Sequence, residues 1–182
     1  MNQHRAALLG DLDPASAVER MIRVDHAGEY GAKRIYAGQL AVLRRSASAP
    51  VLQEMAAQEQ QHLDAFAELV VQRRVRPTAL LPLWHVVGFA LGAATAALGE
   101  RTAMACTVAI EEAIDAHYAG QIDQLDDSEA ELRGKIERFR NEELHHRNVA
   151  VAHGARQAPA YRLLYAAIKT GCRLAIAASE RL

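Results

Sequence analysis

The sequence predicts an all-α fold, and three observations support this prediction. The chain of 182 residues is 51% hydrophobic with only five Pro, and it is rich in Ala, Leu, Glu, Gln and Arg, which favour helix. Apolar residues recur at helical spacing, and no segment alternates like a strand. Capping residues stand where the periodic segments begin. The length fits one domain with a substantial core.

Proline marks the first two predicted helices. Asp13 followed by Pro14 is typical of an N-cap and a first helical residue. This pair predicts a helix over about residues 14–45. Pro50 opens a second helix that runs to about residue 74.

The later helices are indicated by the periodicity of apolar residues and by two further helix-start signals. A third bundle helix covers about residues 100–125. Ser128 with Glu131 is typical of a capping box and predicts a fourth helix that ends near residue 153. Pro159 opens a C-terminal helix over about residues 159–180.

An internal repeat groups the four bundle helices into two hairpins. The tetrapeptide Tyr-Ala-Gly-Gln at residues 36–39 recurs at residues 118–121. A glutamate stands seven residues before each copy, and a Glu-x-x-His pair follows each copy on the next helix. Two such hairpins joined by a long crossover are the architecture of ferritin-like bundles. We therefore expect one ferritin-like domain over residues 1–182, with hairpins at about 14–74 and 100–153.

Six residues on these helices form a candidate site for two metal ions. On each helix they interrupt an apolar, core-facing stripe. Four carboxylates on such stripes need a cation, because unpaired buried charges are too costly. Oxygen and nitrogen ligands without thiolate suit iron or manganese and leave positions open for dioxygen. The predicted metal ligands are Glu29, Glu59, His62, Glu111, Glu143 and His146.

Helix geometry decides between neighbouring candidates. The stripe on the fourth helix selects Glu143 over Glu142, since adjacent residues lie about 100° apart around a helix. The repeat selects Glu111 over Glu112. Tyr118 shares the face of Glu111, and two roles remain open for it. It is either a proton or electron relay near the metals or an ordinary core tyrosine with a hydrogen-bonded hydroxyl.

The segment between the two hairpins is apolar. Residues 77–99 contain no Asp, Glu, Lys or Arg. Its length would allow a transmembrane helix. Pro82, His85, three glycines and the need to return for the second hairpin favour a segment that lies in one leaflet instead. A crossover helix packed on the bundle is the alternative, and one segment can do both.

The net charge and the cysteine content reduce the number of function classes that the sequence supports. The net charge of −1 provides no basic field to attract nucleic acid, so no nucleic acid partner is expected. Cys106 and Cys172 are far apart in sequence and lack CxxC spacing. Two buried free thiols in a reducing compartment are therefore expected rather than a disulfide or a thiolate ligand. The N-terminus lacks the long apolar stretch of a secretory signal.

Four stretches resemble a known enzyme family. The chain is similar to the demethoxyubiquinone hydroxylases of ubiquinone biosynthesis from about residue 18 to residue 182. The stretches are RVDHAGEYGAKRIYAGQ, RVRPTALLPLWHVVGFALGA, MACTVAIEEAIDAHY and GCRLAIAASERL. The resemblance implies a di-iron monooxygenase that uses dioxygen to hydroxylate the benzoquinol ring of a demethoxy polyprenyl quinol. It implies two iron ions per chain, the same six ligands and a reductant, NADH.

The resemblance also assigns a role to a His-Tyr pair and a location to the chain. His117 and Tyr118 match a pair near the quinone ring in this family. Without the resemblance, His117 is a plain surface or core histidine. The implied partners are a polyprenyl quinol and a membrane surface. Because nothing here resembles a mitochondrial presequence, we expect a bacterial member, peripheral or monotopic at the cytoplasmic face of the inner membrane.

Some questions of function and assembly stay open at this level. Contacts with other proteins of ubiquinone biosynthesis and a homo-oligomer are compatible with the sequence. The alternative functions are a ferritin-like protein that oxidises or stores iron, and a di-iron hydroxylase that acts on tRNA. The uncharged segment 77–99 argues against a soluble storage shell. The near-neutral net charge argues against tRNA.

Overall fold

The computed structural model describes residues 13–182, and all regular secondary structure within this range is helical. The predicted all-α fold is therefore confirmed. Short 3-10 turns at Asp127–Glu129 and Ala155–Gln157 separate the last helices. The helices are α1 (Pro14–Leu43), α2 (Ala49–Gln72), α3 (Leu81–Ala97), α4 (Glu100–Ile122), α5 (Ala130–Ala152) and α6 (Tyr161–Ser179).

One predicted helix start is confirmed and another is wrong. The Asp13 carboxylate caps α1 by accepting a hydrogen bond from the backbone N–H of Ser16 at 3.1 Å. Ser128 was expected to cap the fourth helix. Instead it lies in a 3-10 turn, where the Asp126 carboxylate accepts a hydrogen bond from its backbone N–H at 2.9 Å. Helix α5 begins only at Ala130, because the upstream aspartate takes the capping role.

The helices form a bundle with two further helices on one side. Helix α1 packs against α2, and α4 packs against α5. Helix α3 lies along α1 and also contacts α4, whereas α6 packs mainly on α4 and reaches α1. The backbone N–H of Ala79, before α3, donates to the carbonyl of Leu182 at 3.2 Å. The α1–α4 side of the bundle is thus covered by α3 and α6.

The core is apolar at both ends and polar in the middle. Buried residues recur on α2 and α5 at the helical spacing seen in the sequence. Leu52 and Met55 belong to one hydrophobic cluster, whereas Phe66 and Phe139 belong to another. The buried residues of α5 are Leu132, Ile136, Phe139, Glu143, His146 and Ala150. Its glutamate and histidine therefore lie between two apolar layers.

Close backbone contact holds α3 against α1. A Cβ atom on Gly38 would collide with the carbonyl oxygen of Phe89, and one on Gly92 would collide with the carbonyl oxygen of Ile35. Only glycine allows the two helices to approach this closely. The opposite face of α3 remains apolar and exposed, as at Val86. Among residues 13–182, no helix combines the length and apolarity that crossing a membrane requires.

Gly92→Ala is expected to lower the free energy of unfolding by about 1–3 kcal/mol, because the added methyl group forces α1 and α3 apart. Gly134→Ala on α5 is the control. A Cβ there meets nothing within 4 Å, so alanine should keep or raise stability by up to about 1 kcal/mol. Denaturant unfolding followed by circular dichroism measures both. A Gly92→Ala protein as stable as the wild type would contradict the close packing.

Candidate metal centre

The six predicted ligands lie together, buried at mid-height in the bundle. They form two overlapping groups, in each of which one potential ligand atom per residue lies within 4.8 Å of the others. The groups are Glu29, Glu59, His62 and Glu143, and Glu59, Glu111, Glu143 and His146. Glu59 and Glu143 belong to both. The geometry thus offers two shared carboxylates between two positions, each completed by one further glutamate and one histidine.

Both histidines turn the same ring nitrogen toward the carboxylates. The Nδ1 atom lies 3.0 Å from the nearest carboxylate oxygen for His62 and 3.2 Å for His146. The outer Nε2 atom of His62 faces Glu142, and that of His146 faces the side-chain oxygen of Gln58. Since each outer nitrogen faces an acceptor, it carries the proton, and the Nδ1 lone pair remains available to a metal.

Many polar atoms of this cluster have no protein partner. Among the described residues, the buried atoms without a hydrogen bond include both oxygens of Glu59 and Glu143, one oxygen of Glu29 and Glu111, and Nδ1 of His62 and His146. Buried polar groups are almost always satisfied. Eight unsatisfied atoms converging in one place fit a site that is completed by cations. The oxygen and nitrogen donors suit iron or manganese.

The ionisation of the cluster leads to the same conclusion. Burial raises the pKa of Glu59 well above its usual value, and the neighbouring carboxylates raise it further. Burial likewise raises the pKa of Glu111 and Glu143. Burial opposes the charged form of His62, yet Glu143 and Glu29 outweigh it and raise its pKa to about 11. Without metal, protons must therefore supply the positive charge that these carboxylates require.

Two tyrosines connect the hairpins at this site. The Tyr36 hydroxyl on α1 donates a hydrogen bond to Glu111 on α4. The Tyr118 hydroxyl on α4 donates one to Glu29 on α1. The two residues are equivalent in the internal repeat, so each holds the unshared glutamate of the other hairpin. The sequence showed Tyr36 as part of the internal repeat but predicted no role for it.

A cavity of about 510 Å³ reaches the cluster from the side covered by α3 and α6. Its walls come from α1, α3, α4 and α6 and are largely apolar, with Ile35, Leu91 and Ile168 among them. Of the six ligand candidates, only Glu29 lines it, together with its partner Tyr118. We call this space the apolar cavity.

Two glycines leave room in the apolar cavity. Gly28 and Gly31 flank Glu29 and line the cavity. A Cβ atom on either would meet nothing within 4 Å, so helix packing does not require glycine at these positions. The indole of Trp84 lines the wall of α3, and its N–H donates to the Ser179 hydroxyl at 3.1 Å.

His117 lies at the edge of the apolar cavity and outside the metal cluster. Its Nε2 atom is 3.1 Å from Oδ1 of the buried Asp25, which also accepts a hydrogen bond from the Gln121 amide at 2.7 Å. The structure therefore brings both predicted catalytic candidates to the cavity, but only Tyr118 contacts a ligand candidate. The sequence missed the contacts of Gln58 and Glu142 because no motif marks them. It also missed the contact of Tyr36, although the repeat that pairs Tyr36 with Tyr118 was a signal for it.

Both cysteines are free thiols, but only Cys106 is fully buried as expected, whereas Cys172 is partly exposed. Burial raises the pKa of Cys106 to about 12 and that of Cys172 to about 11. Cys172 lines the apolar cavity, whereas neither cysteine belongs to a candidate metal group. Both thiols therefore stay protonated at neutral pH.

A helical bundle that buries four glutamates and two histidines in this arrangement defines a class, the ferritin-like di-metal carboxylate proteins. Residues 16–179 match the family model for ubiquinone biosynthesis protein COQ7, and the chain belongs to this family.

Similar proteins come from bacteria and from mitochondria. The chain is 61% identical to a 3-demethoxyubiquinol 3-hydroxylase of Rhodospirillum rubrum, over 96% of this chain and 82% of the relative. It is 57% identical to the human NADPH-dependent 3-demethoxyubiquinone 3-hydroxylase, mitochondrial, over 92% of this chain and 79% of the relative. The Saccharomyces cerevisiae 5-demethoxyubiquinone hydroxylase is 40% identical, over 92% of this chain and 79% of the relative.

Proposed function

We propose that the chain is a di-iron monooxygenase that adds one oxygen atom from dioxygen to the ring of a demethoxy polyprenyl quinol. The relatives at 57–61% identity are named hydroxylases of demethoxyubiquinol or demethoxyubiquinone, and the chain is an oxidoreductase of this kind. The observation that carries the proposal is the apolar cavity that ends at Glu29 and Tyr118. It can bring an apolar ring against the candidate metal centre.

In this proposal the six ligand candidates hold two iron ions. Glu29 and His62 belong to one position, and Glu111 and His146 to the other, while the shared glutamates lie between them. Bound iron would supply the activation of dioxygen. The chain supplies the rest. The two tyrosines hold the unshared carboxylates in place, the partners of Nε2 orient the imidazoles, and the apolar layers exclude water.

The walls of the apolar cavity fit a prenylated ring. Its apolar side chains suit a hydrocarbon tail. Apart from the Cys172 thiol, its ionisable groups are Asp25, Glu29, His117 and Tyr118, and these gather at the ligand end. A ring with polar substituents is therefore oriented with its oxygens toward the metal centre. The human relative's name specifies NADPH. For this chain we propose a reduced nicotinamide dinucleotide as the electron source, and the family resemblance implies that it is NADH.

A membrane surface is the proposed source of the substrate. Helices α3 and α6 line the apolar cavity with their inner faces and expose apolar residues on their outer faces. Among these exposed residues are Leu83, Val86, Leu163 and Leu174. A polyprenyl tail is too apolar to cross water, so the ring would enter between these helices while its tail stays in lipid. This supports peripheral or monotopic attachment to a membrane, and the location that we propose is the cytoplasmic face of a bacterial inner membrane.

The two alternative functions gain no support. Iron storage does not require an apolar cavity that leads to the ligands. A tRNA hydroxylase would need basic groups near the cavity, and no Lys or Arg among residues 13–182 lines it. The named relatives also favour the quinol hydroxylase.

The proposal is tested by turnover with a short-chain demethoxy quinone analogue. Wild-type protein loaded with iron, given NADH and isotopically labelled dioxygen, should form a product that carries one labelled oxygen atom by mass spectrometry. Gly31→Leu fills space in the apolar cavity and should lower the rate at least about a hundredfold, because a ring displaced by about 1 Å reacts far more slowly. Its iron content should stay at the wild-type level.

Gly134→Leu is the matched control, since Gly134 also has open space around its Cβ position but does not line the cavity. Its rate should equal that of the wild type. An iron-loaded wild-type protein that forms no labelled product would reject the proposed substrate. A Gly31→Leu protein with full activity would reject the apolar cavity as the place of reaction.

A further inference from the structure

A second, smaller cavity of about 190 Å³ lies beside the apolar cavity. Polar and charged residues line it, among them Arg20, Gln121, Gln124 and Glu180. We call it the polar cavity. Arg20, Gln124 and Glu180 are only partly buried or exposed, so the polar cavity borders solvent. Its volume is large enough for several water molecules.

One ionisable residue lines both cavities. His117 is part of the wall of the apolar cavity and of the wall of the polar cavity. Val24 is the other residue that they share, and its side chain cannot carry a proton. The His117 imidazole therefore lies where a polar space that borders solvent meets an apolar one.

A buried carboxylate holds this imidazole. Asp25 is 2% exposed, and its Oδ1 atom contacts His117 Nε2 at 3.1 Å and Gln121 Nε2 at 2.7 Å. The Gln121 Nε2 atom also lies 2.9 Å from His117 Nε2. The other oxygen, Oδ2, and the side-chain oxygen of Gln121 are buried without a protein partner. Buried polar atoms of this kind commonly bind ordered water. None of the three residues is a candidate metal ligand.

The proposed reaction needs protons at the end of the apolar cavity. A ring C–H and dioxygen, with two electrons from the reduced nicotinamide dinucleotide and two protons, give a ring C–OH and one water molecule. The apolar walls cannot carry protons, and a prenylated ring that fills the cavity excludes water from it. The protons must therefore arrive through a polar group in the wall.

We propose that the polar cavity is the proton inlet of this site and that His117 passes protons from the polar cavity into the apolar cavity. Asp25, with Gln121, is a positioning residue that holds the His117 imidazole for this transfer. This inference rests on the proposed function. The imidazolium N–H bond breaks, an O–H bond forms on the oxygen that leaves as water, and water in the polar cavity protonates the imidazole again. The reductant supplies the electrons.

The charges around His117 support this role. The charged groups that act on it are Asp25 and Glu29 on α1 and Glu180 at the end of α6, and Arg20 also lines the polar cavity. Burial lowers the pKa of His117, but the hydrogen bond and the charge of Asp25 outweigh it and raise the pKa above its usual value. The imidazole thus keeps a proton to deliver near neutral pH.

Asp25→Asn tests the proposal, because it removes the charge and keeps the shape of the side chain. With the quinone analogue, kcat should fall at least about tenfold, while KM and iron content stay at wild-type levels. Quenching of Trp84 fluorescence measures analogue binding independently of turnover. The loss of activity at alkaline pH should begin at lower pH than in the wild type, since His117 without the carboxylate releases its proton more readily.

The control is Asp123→Asn at the exposed end of α4, which should leave the rate and the pH profile unchanged.

An NMR titration of His117 in zinc-loaded protein tests the interaction between Asp25 and His117 without turnover, and Asp25→Asn should lower the pKa of His117. An unchanged titration or pH profile would overturn the proposal. Parallel loss of iron or analogue binding would also overturn it, since Asp25 would then be structural. A wild type that binds the analogue without hydroxylating it rejects the proposed function, whereas the NMR result still decides on Asp25.

Discussion

Glu143→Ala is expected to release both iron ions from the purified protein, whereas Glu29→Ala should release about one. Glu143 belongs to both groups of ligand candidates, but Glu29 belongs to one. Loss of a shared carboxylate leaves both positions incomplete and leaves the other buried carboxylates without compensation. Metal analysis after gel filtration gives the number of ions per chain. Hydroxylation of the quinone analogue should be lost in both variants.

Neighbouring glutamates serve as matched controls for this prediction. Glu112→Ala should keep both ions, because the Glu112 side chain contacts Tyr165 and Lys169 on α6 and not the cluster. Glu142→Ala should bind both ions at saturation but about 10–100-fold more weakly, since Glu142 orients the His62 imidazole. Full iron content in Glu143→Ala would reject the ligand assignment. Equal losses in Glu29→Ala and Glu143→Ala would reject the distinction between shared and unshared carboxylates.

Replacing Leu83 and Val86 together by aspartate is expected to move the protein from the membrane fraction to the soluble fraction. Both side chains are exposed on α3, at 48% and 64%, on a helix that carries no charge. Each apolar side chain removed from lipid costs about 1.5–3 kcal/mol of binding free energy. The two substitutions together should therefore weaken the partitioning of the protein into membranes at least about a hundredfold. Flotation of the protein with anionic lipid vesicles measures this.

Val71→Asp is the control for the proposed membrane surface. Val71 is 77% exposed, but it lies on α2, away from the surface formed by α3 and α6. This variant should float with the vesicles like the wild type, and the Leu83→Asp, Val86→Asp variant should keep its iron. If that double variant still floats with the vesicles, the exposed face of α3 is not the membrane contact. If Val71→Asp also detaches, the contact is not confined to α3 and α6.

The sequence by itself determined the fold class and the set of candidate ligands. Helical spacing places Glu59, His62, Glu143 and His146 on the core-facing stripes of two helices. This inference is local, because residues three or four apart on a helix must share a face. The choice of Glu143 over its neighbour Glu142 follows from the same geometry. The structure buries the first completely and leaves the second 38% exposed.

Local rules were less reliable where two of them compete. Ser128 and Asp126 each offer an oxygen for the free N–H groups at a helix start. The sequence favoured Ser128, whereas the carboxylate of Asp126 caps the turn that precedes α5. Both residues are common at such positions, so sequence spacing alone does not choose between them.

Only the tertiary structure decided which ligand candidates are shared between the two metal positions and from which side of the bundle a cavity reaches them. Which tyrosine holds which carboxylate and the pairing of Asp25 with His117 depend on residues 75–92 positions apart in the chain. Which glutamates are shared depends on helices from both hairpins, because Glu59 lies on α2 and Glu143 on α5. For the segment 77–99 the sequence favoured a position in one membrane leaflet and kept packing on the bundle as the alternative. The glycines between α1 and α3 fix its inner face, and its outer face stays exposed. Such contacts depend on the relative placement of helices, which side-chain periodicity within one helix does not encode.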